Sequence, residues 1–188
     1  MRIGLLVLGC LGSSAFARLG DTQDQAEARY GLPKKLFAFE RPLIEGARDL
    51  MFHYEGWKIR CALLKATDGR EYVVRQEYRK IWNAEVMKKG GVIHVRDFER
   101  DAVLKSEAST GTWREKLSGD LSWNPVQALT NQLVHASGLG GKIWLREDGA
   151  VARALHDSVM LELPQALKYE AELKAIKEQK ARAAVPKF

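Results

Sequence analysis

Two Asp-Gly dipeptides, Asp68-Gly69 and Asp148-Gly149, each lie between segments whose apolar and polar residues alternate. Glycine takes the left-handed backbone that a tight turn needs, and alternation with period two fits a strand with one buried face. The chain is therefore committed to antiparallel hairpins. Around the first turn the pattern predicts strands at Asp49 to Glu55, Trp57 to Lys65 and Glu71 to Arg79, with Glu55-Gly56 joining the first two. Around the second it predicts strands at Lys142 to Glu147, Ala150 to Leu155 and Val159 to Leu163, with a further strand-like stretch at Thr112 to Leu117.

Each set of strands follows a helical segment. Thr22 and Gln25 have capping-box spacing, so a helix runs to about Tyr30 with Ala26 and Tyr30 inward, and stops at Gly31 ahead of Pro33. A second helix is expected from Phe98 to Ala108 behind an Asp97 cap, with Phe98, Ala102 and the stem of Lys105 on one side. Asn124-Pro125 opens a third from Val126 to Ser137, ending at Gly138. Pro164 opens a basic final helix to about Ala184, with Tyr169, Leu173 and Ile176 as its apolar stripe. The expected fold class is α+β: two helix-plus-antiparallel-meander units at 18–80 and 92–163, with a C-terminal helix in 164–188. The repeated order suggests a duplication that the residues themselves support only weakly.

The N-terminus narrows the setting. Arg2, the apolar run Ile3 to Gly12 and the small-residue site Ala15-Phe16-Ala17 have the order of a secretory signal peptide cleaved after Ala17. A first buried strand or helix is the structural alternative. Val7-Leu8-Gly9-Cys10 also has the shape of a lipobox, which would anchor the mature chain by lipid at Cys10. Among the 188 residues there are two cysteines, so cleavage leaves Cys61 alone and lowers the net charge from +6 to +5. An exported chain with one cysteine must be held together by its core and not by a disulfide. Cys61 shares a face with Trp57, Ile59 and Leu63 and reads as a small buried hydrophobe.

Strand alternation nominates a contact surface. Lys58 and Arg60 oppose the apolar set on the second strand, Arg75 lies on the third, and these three are expected to face solvent or a partner. In the second unit Trp144 alternates with Lys142 and Arg146, opposite Ile143 and Leu145, placing an indole between two cations. Lys58, Arg60, Arg75, Trp144 and Arg146 are the candidate partner-binding residues. For the charges the competing reading is an ordinary solvated face; for Trp144 it is a sheet covered on both sides.

Motifs for chemistry are absent. His53, His94, His135 and His156 are far apart and lack metal-ligand spacing, and there is no nucleophile elbow. Gly138 to Gly141 precedes a strand, whereas a phosphate cradle follows one. No catalytic residue, metal or cofactor is expected. Nucleic acid is disfavoured by export and by the interspersed acidic residues.

From Leu19-Gly20-Asp21-Thr22 to Tyr30-Gly31-Leu32-Pro33, the pattern G-x-T followed by G-x-P and antiparallel strands resembles the SmpA/OmlA family of small outer-membrane-assembly lipoproteins over residues 18–79. The resemblance implies a helix-plus-meander module that binds other envelope proteins. Tandem modules of this shape also resemble secreted β-lactamase inhibitors, as an analogy of fold. The expected function is an exported, periplasmic or secreted, non-catalytic protein-binding or scaffolding module of a bacterial cell envelope. The rivals are a carbohydrate or peptidoglycan binder centred on Trp144, and a hydrolase. An envelope protein is the expected partner, with an anionic glycan or membrane surface as the other candidates; oligomeric state is not readable.

Overall fold

The computed structural model describes residues 18–81, 88, 94–108, 111–116 and 142–183. The signal segment and the helix expected at Val126 to Ser137 lie outside them. The described residues form helices α1 (Gln23–Tyr30), α2 (Asp97–Ser106) and α3 (Pro164–Ala183). They also form strands β1 (Arg48–Tyr54), β2 (Trp57–Lys65), β3 (Glu71–Lys80), β4 (Trp113–Glu115), β5 (Ile143–Arg146), β6 (Val151–Ala154) and β7 (Ser158–Glu162). The fold is α+β, as expected.

The two meanders join edge to edge. β3 pairs antiparallel with β7, from Arg75 opposite Glu162 to Arg79 opposite Ser158, giving one seven-stranded sheet in the order β1-β2-β3-β7-β6-β5-β4. Sequence alternation marks each meander but not the edge at which one meets the other, which the structure places at β3 and β7, so that both meanders lie in one sheet.

Turn chemistry sets the registers. Glu55 and Gly56 both have positive φ, 46° and 81°, and make a two-residue hairpin between β1 and β2. The Asp-Gly turns are longer. Ala66 N donates to Arg70 O (2.8 Å) and Arg146 N to Ala150 O (2.9 Å), each spanning a three-residue loop with glycine at φ 83°. The aspartate contributes too: Asp68 and Asp148 accept from the main-chain N–H two residues on, at 2.9 and 3.1 Å.

One sheet face packs on α1 and α2. Ala26 and Tyr30 from α1, and Val103 and Leu104 from α2, join Phe52, Ile59, Cys61, Leu63, Val73, Tyr78, Trp144, Val159 and Leu161 in a single core spanning both meanders. The Thr22–Gln25 capping box and the Gly31 stop are present. Strict alternation on β3 separates Val73 from Tyr78, yet both lie in this core. The register shifts between Ala62 and Leu63, leaving Val74 as an extra residue, and this bulge resets which side chains face inward.

The inner side of α2 also differs from expectation. Phe98 is 63 % exposed, while Arg100, Val103 and Leu104 are buried. The helix is turned so that Val103 and Leu104 reach the core and the Arg100 guanidinium lies 4.8 Å from the Trp144 ring centroid.

The second sheet face is covered by the 31–47 segment and by the start of α3. Ile44, Ala62, Val74 and Ala166 form one small cluster there, and Ile143, Val151 and Leu167 another. Gly46 is required at this junction: its φ is 80°, and a Cβ would come within 2.7 Å of Tyr169 Oη. Of the expected stripe on α3, Tyr169 and Leu173 are half-buried and Ile176 is 49 % exposed, so the helix docks by its first turns and its last turns stand in solvent.

Candidate binding cleft on the first sheet

The covered face carries ion pairs where a core normally has hydrocarbon. Arg75 Nε and Nη2 donate to Glu162 Oε2 at 3.0 and 2.7 Å, and Nη1 donates to Leu43 O and Glu170 Oε1, both at 2.8 Å. Arg153 pairs with the other oxygen of Glu162. Arg60 pairs with Asp49 through Nη2, which also donates to Arg41 O at 2.7 Å. Buried charges persist only where partners replace water, and the Arg60 and Arg75 guanidiniums each bind carboxylate and a main-chain carbonyl.

Arg60 and Arg75 are thus buried and not the solvent-facing residues expected from alternation. They do lie on the face opposite the helices, but the 31–47 segment and α3 cover that face. Trp144 and Arg146 are corrected in the same way. Trp144 lies in the core beneath Arg100, so it has no free ring face for a sugar or a partner. The Arg146 side chain is 1 % exposed. It binds Asp148 (2.9 and 2.8 Å) and Glu107 O (2.7 Å), and its guanidinium lies 4.9 Å from the Trp113 ring centroid. Both faces of this sheet are occupied. Lys58 is half-buried and is the one member of the nominated set that opens toward solvent.

Where the cover ends, a cleft of about 470 Å³ opens between the 39–41 stretch and the β1–β3 meander. Its cations are Arg41, Lys58, Arg60, Arg79 and Lys80; its carboxylates are Glu40 and Glu77; His53 lines it as well. Glu40 pairs with Lys58, and Arg79 Nη2 lies 2.7 Å from Glu77 Oε1. Burial, followed by the like charges of Arg60 and Arg79, lowers the Lys58 pKa below its usual value. Phe39 forms part of the rim. Its ring stacks on Phe37, with centroids 5.4 Å apart and planes at 8°, and the two residues are 82 % and 55 % exposed. Sequence reasoning passed over Phe37 and Phe39 because they sit in a loop without periodicity. An aromatic pair beside the four cations Lys58, Arg60, Arg79 and Lys80 of two adjacent strands was the signal available.

A second polar group lies inside the main core. Glu107, fully buried just beyond α2, accepts from Tyr78 Oη (2.9 Å) and Leu19 N (3.1 Å), and Tyr78 Oη lies 2.8 Å from Tyr30 Oη. Burial pushes its carboxyl pKa up to about 7, against the lowering effect of these hydrogen bonds and of Arg146. Glu107 was missed although 100, 103, 104 and 107 have the spacing of one helix face; charged residues at both ends masked the stripe. Cys61 is a buried thiol, as expected, with its pKa pushed up to about 12 by burial.

The fold also brings together His94 and His156, with ring centroids 3.8 Å apart, though among the described residues no group of three metal-ligating side chains forms. No helix among them is long and apolar enough to cross a membrane.

Fold and cleft together define an α+β protein with one twisted antiparallel sheet and a cationic, aromatic-rimmed cleft on the face opposite its first two helices. No family model, curated protein or solved structure matches the chain.

Proposed function

We propose that the chain is an exported, non-catalytic binding module of a bacterial cell envelope, and that it engages another envelope protein through the cleft beside Lys58. The observation that carries this reading is the pairing of cation-rich lining with exposed Phe37 and Phe39. Exposed aromatics beside charged groups are typical of the centre of a protein interface, where rings supply contact area and charges supply orientation. The carboxylates in and around the cleft already serve ion pairs: Asp49 with Arg60, Glu77 with Arg79 and Glu40 with Lys58. Export rests on the Arg2 to Ala17 segment, and the envelope setting on that segment together with the SmpA/OmlA resemblance.

A photocrosslinking residue substituted for Phe39 in the full chain tests this. In intact cells it is expected to give a discrete adduct with an envelope protein, while the same residue at Leu32, 79 % exposed but outside the cleft lining, gives none. Equal labelling from both positions, or none from Phe39, overturns the reading. N-terminal sequencing of the envelope fraction, with Arg18 expected as the first residue, tests export.

A further inference from the structure

Two features crowd cations along one side of the cleft, although Arg79 Nε also lies 3.8 Å from Asp157 Oδ2 and Lys80 pairs with Glu99. Lys58 lies directly opposite Arg79 in the β2–β3 register, and like charges in that position repel. Arg60, nine-tenths buried, uses Nη2 for Asp49 and Arg41 O, while its Nη1 is 4.0 Å from Glu77 Oε2, too far for a hydrogen bond. Burial first, and then this crowding, lower the Lys58 pKa as a consequence.

The 31–47 segment sets one carboxylate among these cations. Glu40, next to Phe39, brings its carboxylate to Lys58, and the turn closes on itself through Glu40 N to Phe37 O at 3.0 Å. A side-chain carboxylate beside an aromatic residue is thus already seated at one end of the cleft. We propose that Glu40 is an internal stand-in, and that the cleft takes a side-chain carboxylate from an acidic, aromatic-containing segment of a partner protein. The incoming carboxylate competes with Glu40 for Lys58 and with Glu77 and Asp157 for Arg79, reaches Arg60 Nη1, whose nearest carboxylate oxygen is 4.0 Å away, and its flanking ring packs on Phe39. This deepens the reading above and rests on it. A peptide carboxylate is favoured over phosphate or an anionic glycan because the internal occupant has that chemistry, and because exposed Phe37, Phe39 and Ile81 offer apolar contact beside the charges.

The test is fluorescence anisotropy of the purified chain with a short labelled peptide alternating glutamate and phenylalanine, and with the same peptide carrying glutamine. The glutamate peptide is expected to bind and the glutamine peptide to lose about ten-fold in affinity. Arg79→Glu is expected to lose about ten-fold, and Glu40→Gln, which removes the competitor, to gain about three-fold. Circular dichroism of each variant checks that the sheet is intact, and Arg79→Lys keeps the charge if Arg79→Glu fails to fold. Equal binding of the two peptides, weaker binding by Glu40→Gln, or the same Arg79 dependence for phosphatidylglycerol vesicles or an anionic glycan overturns the inference. A Phe39 crosslink obtained while the glutamate peptide fails removes this inference alone; loss of both removes the reading beneath it.

Discussion

Glu107 shows how one residue couples fold and pH. Its carboxyl pKa is raised from 4.5 to about 7, with burial as the leading cause. Below pH 4.5 the group is protonated in both folded and unfolded chains. Between there and about 7 the unfolded chain ionises while the folded chain keeps its proton, so this residue's contribution to stability falls as pH rises and then levels off. The fall is on the order of 3 kcal/mol. Glu107→Gln keeps an acceptor for Leu19 N and offers an N–H to Tyr78 Oη, but does not titrate. The stability difference between wild type and Glu107→Gln is therefore expected to shift toward the variant from pH 4.5 to 7, read by urea unfolding. A pH-independent difference contradicts the assignment. The neighbouring groups, Tyr30, Tyr78, Arg146 and Asp21, are unchanged in this pair, so their own titration largely cancels.

At the level of elements, what could be read in the sequence was what neighbours in the chain decide. The Thr22–Gln25 box, the Gly31 stop, the β2 limits and the Pro164 start are each set by residues within one turn of the boundary. What depends on contacts distant in sequence was not readable. The bulge at Val74 has no local signature, and it decides that Val73 and Tyr78 share a face. The burial of Arg60 and Arg75 depends on cover from Arg41, Leu43 and Glu170, and alternation along β2 and β3 carries no information about that cover. The start of the mature chain gives a prediction at this scale. Arg18 N lies 2.8 Å from Asp21 Oδ2, which Arg29 also binds at 2.9 Å. Cleavage after Ala17 turns that N–H into an ammonium, changing a neutral donor into a charge-assisted one. Asp21→Asn is expected to cost a chain beginning at Arg18 about 1 kcal/mol more than one with a short N-terminal extension. Because α-amino groups titrate near 8, the extra cost should vanish at about pH 10. Thermal unfolding of the four proteins at both pH values checks this.

Across the whole molecule the decisive contact is the β3–β7 seam, because it turns two small meanders into one structure. A three-stranded meander with one short helix buries too little apolar surface to be stable by itself, and a shared core relieves that limit. Here Val73 and Tyr78 from one side and Val159 and Leu161 from the other lie in the same cluster, while Arg75 and Glu162 face each other across the strand pair. The ion pair adds specificity of register more than net stability, since removing both charges from water offsets much of their attraction. Breaking it from one side is different. Arg75→Ala leaves the buried Glu162 with Arg153 alone and leaves Glu170 without its guanidinium partner. Removing one partner of a buried pair costs roughly 3–5 kcal/mol, and the remaining Arg153 contact places this case near the lower end. Variants in which Trp57 or Trp144 is the sole tryptophan report on the two meanders separately. Both are expected to unfold at the same urea concentration, and Arg75→Ala is expected to move both midpoints down together. Two midpoints in the parent, or a shift confined to Trp57, would mean that the meanders fold independently and that the seam is only an interface between them.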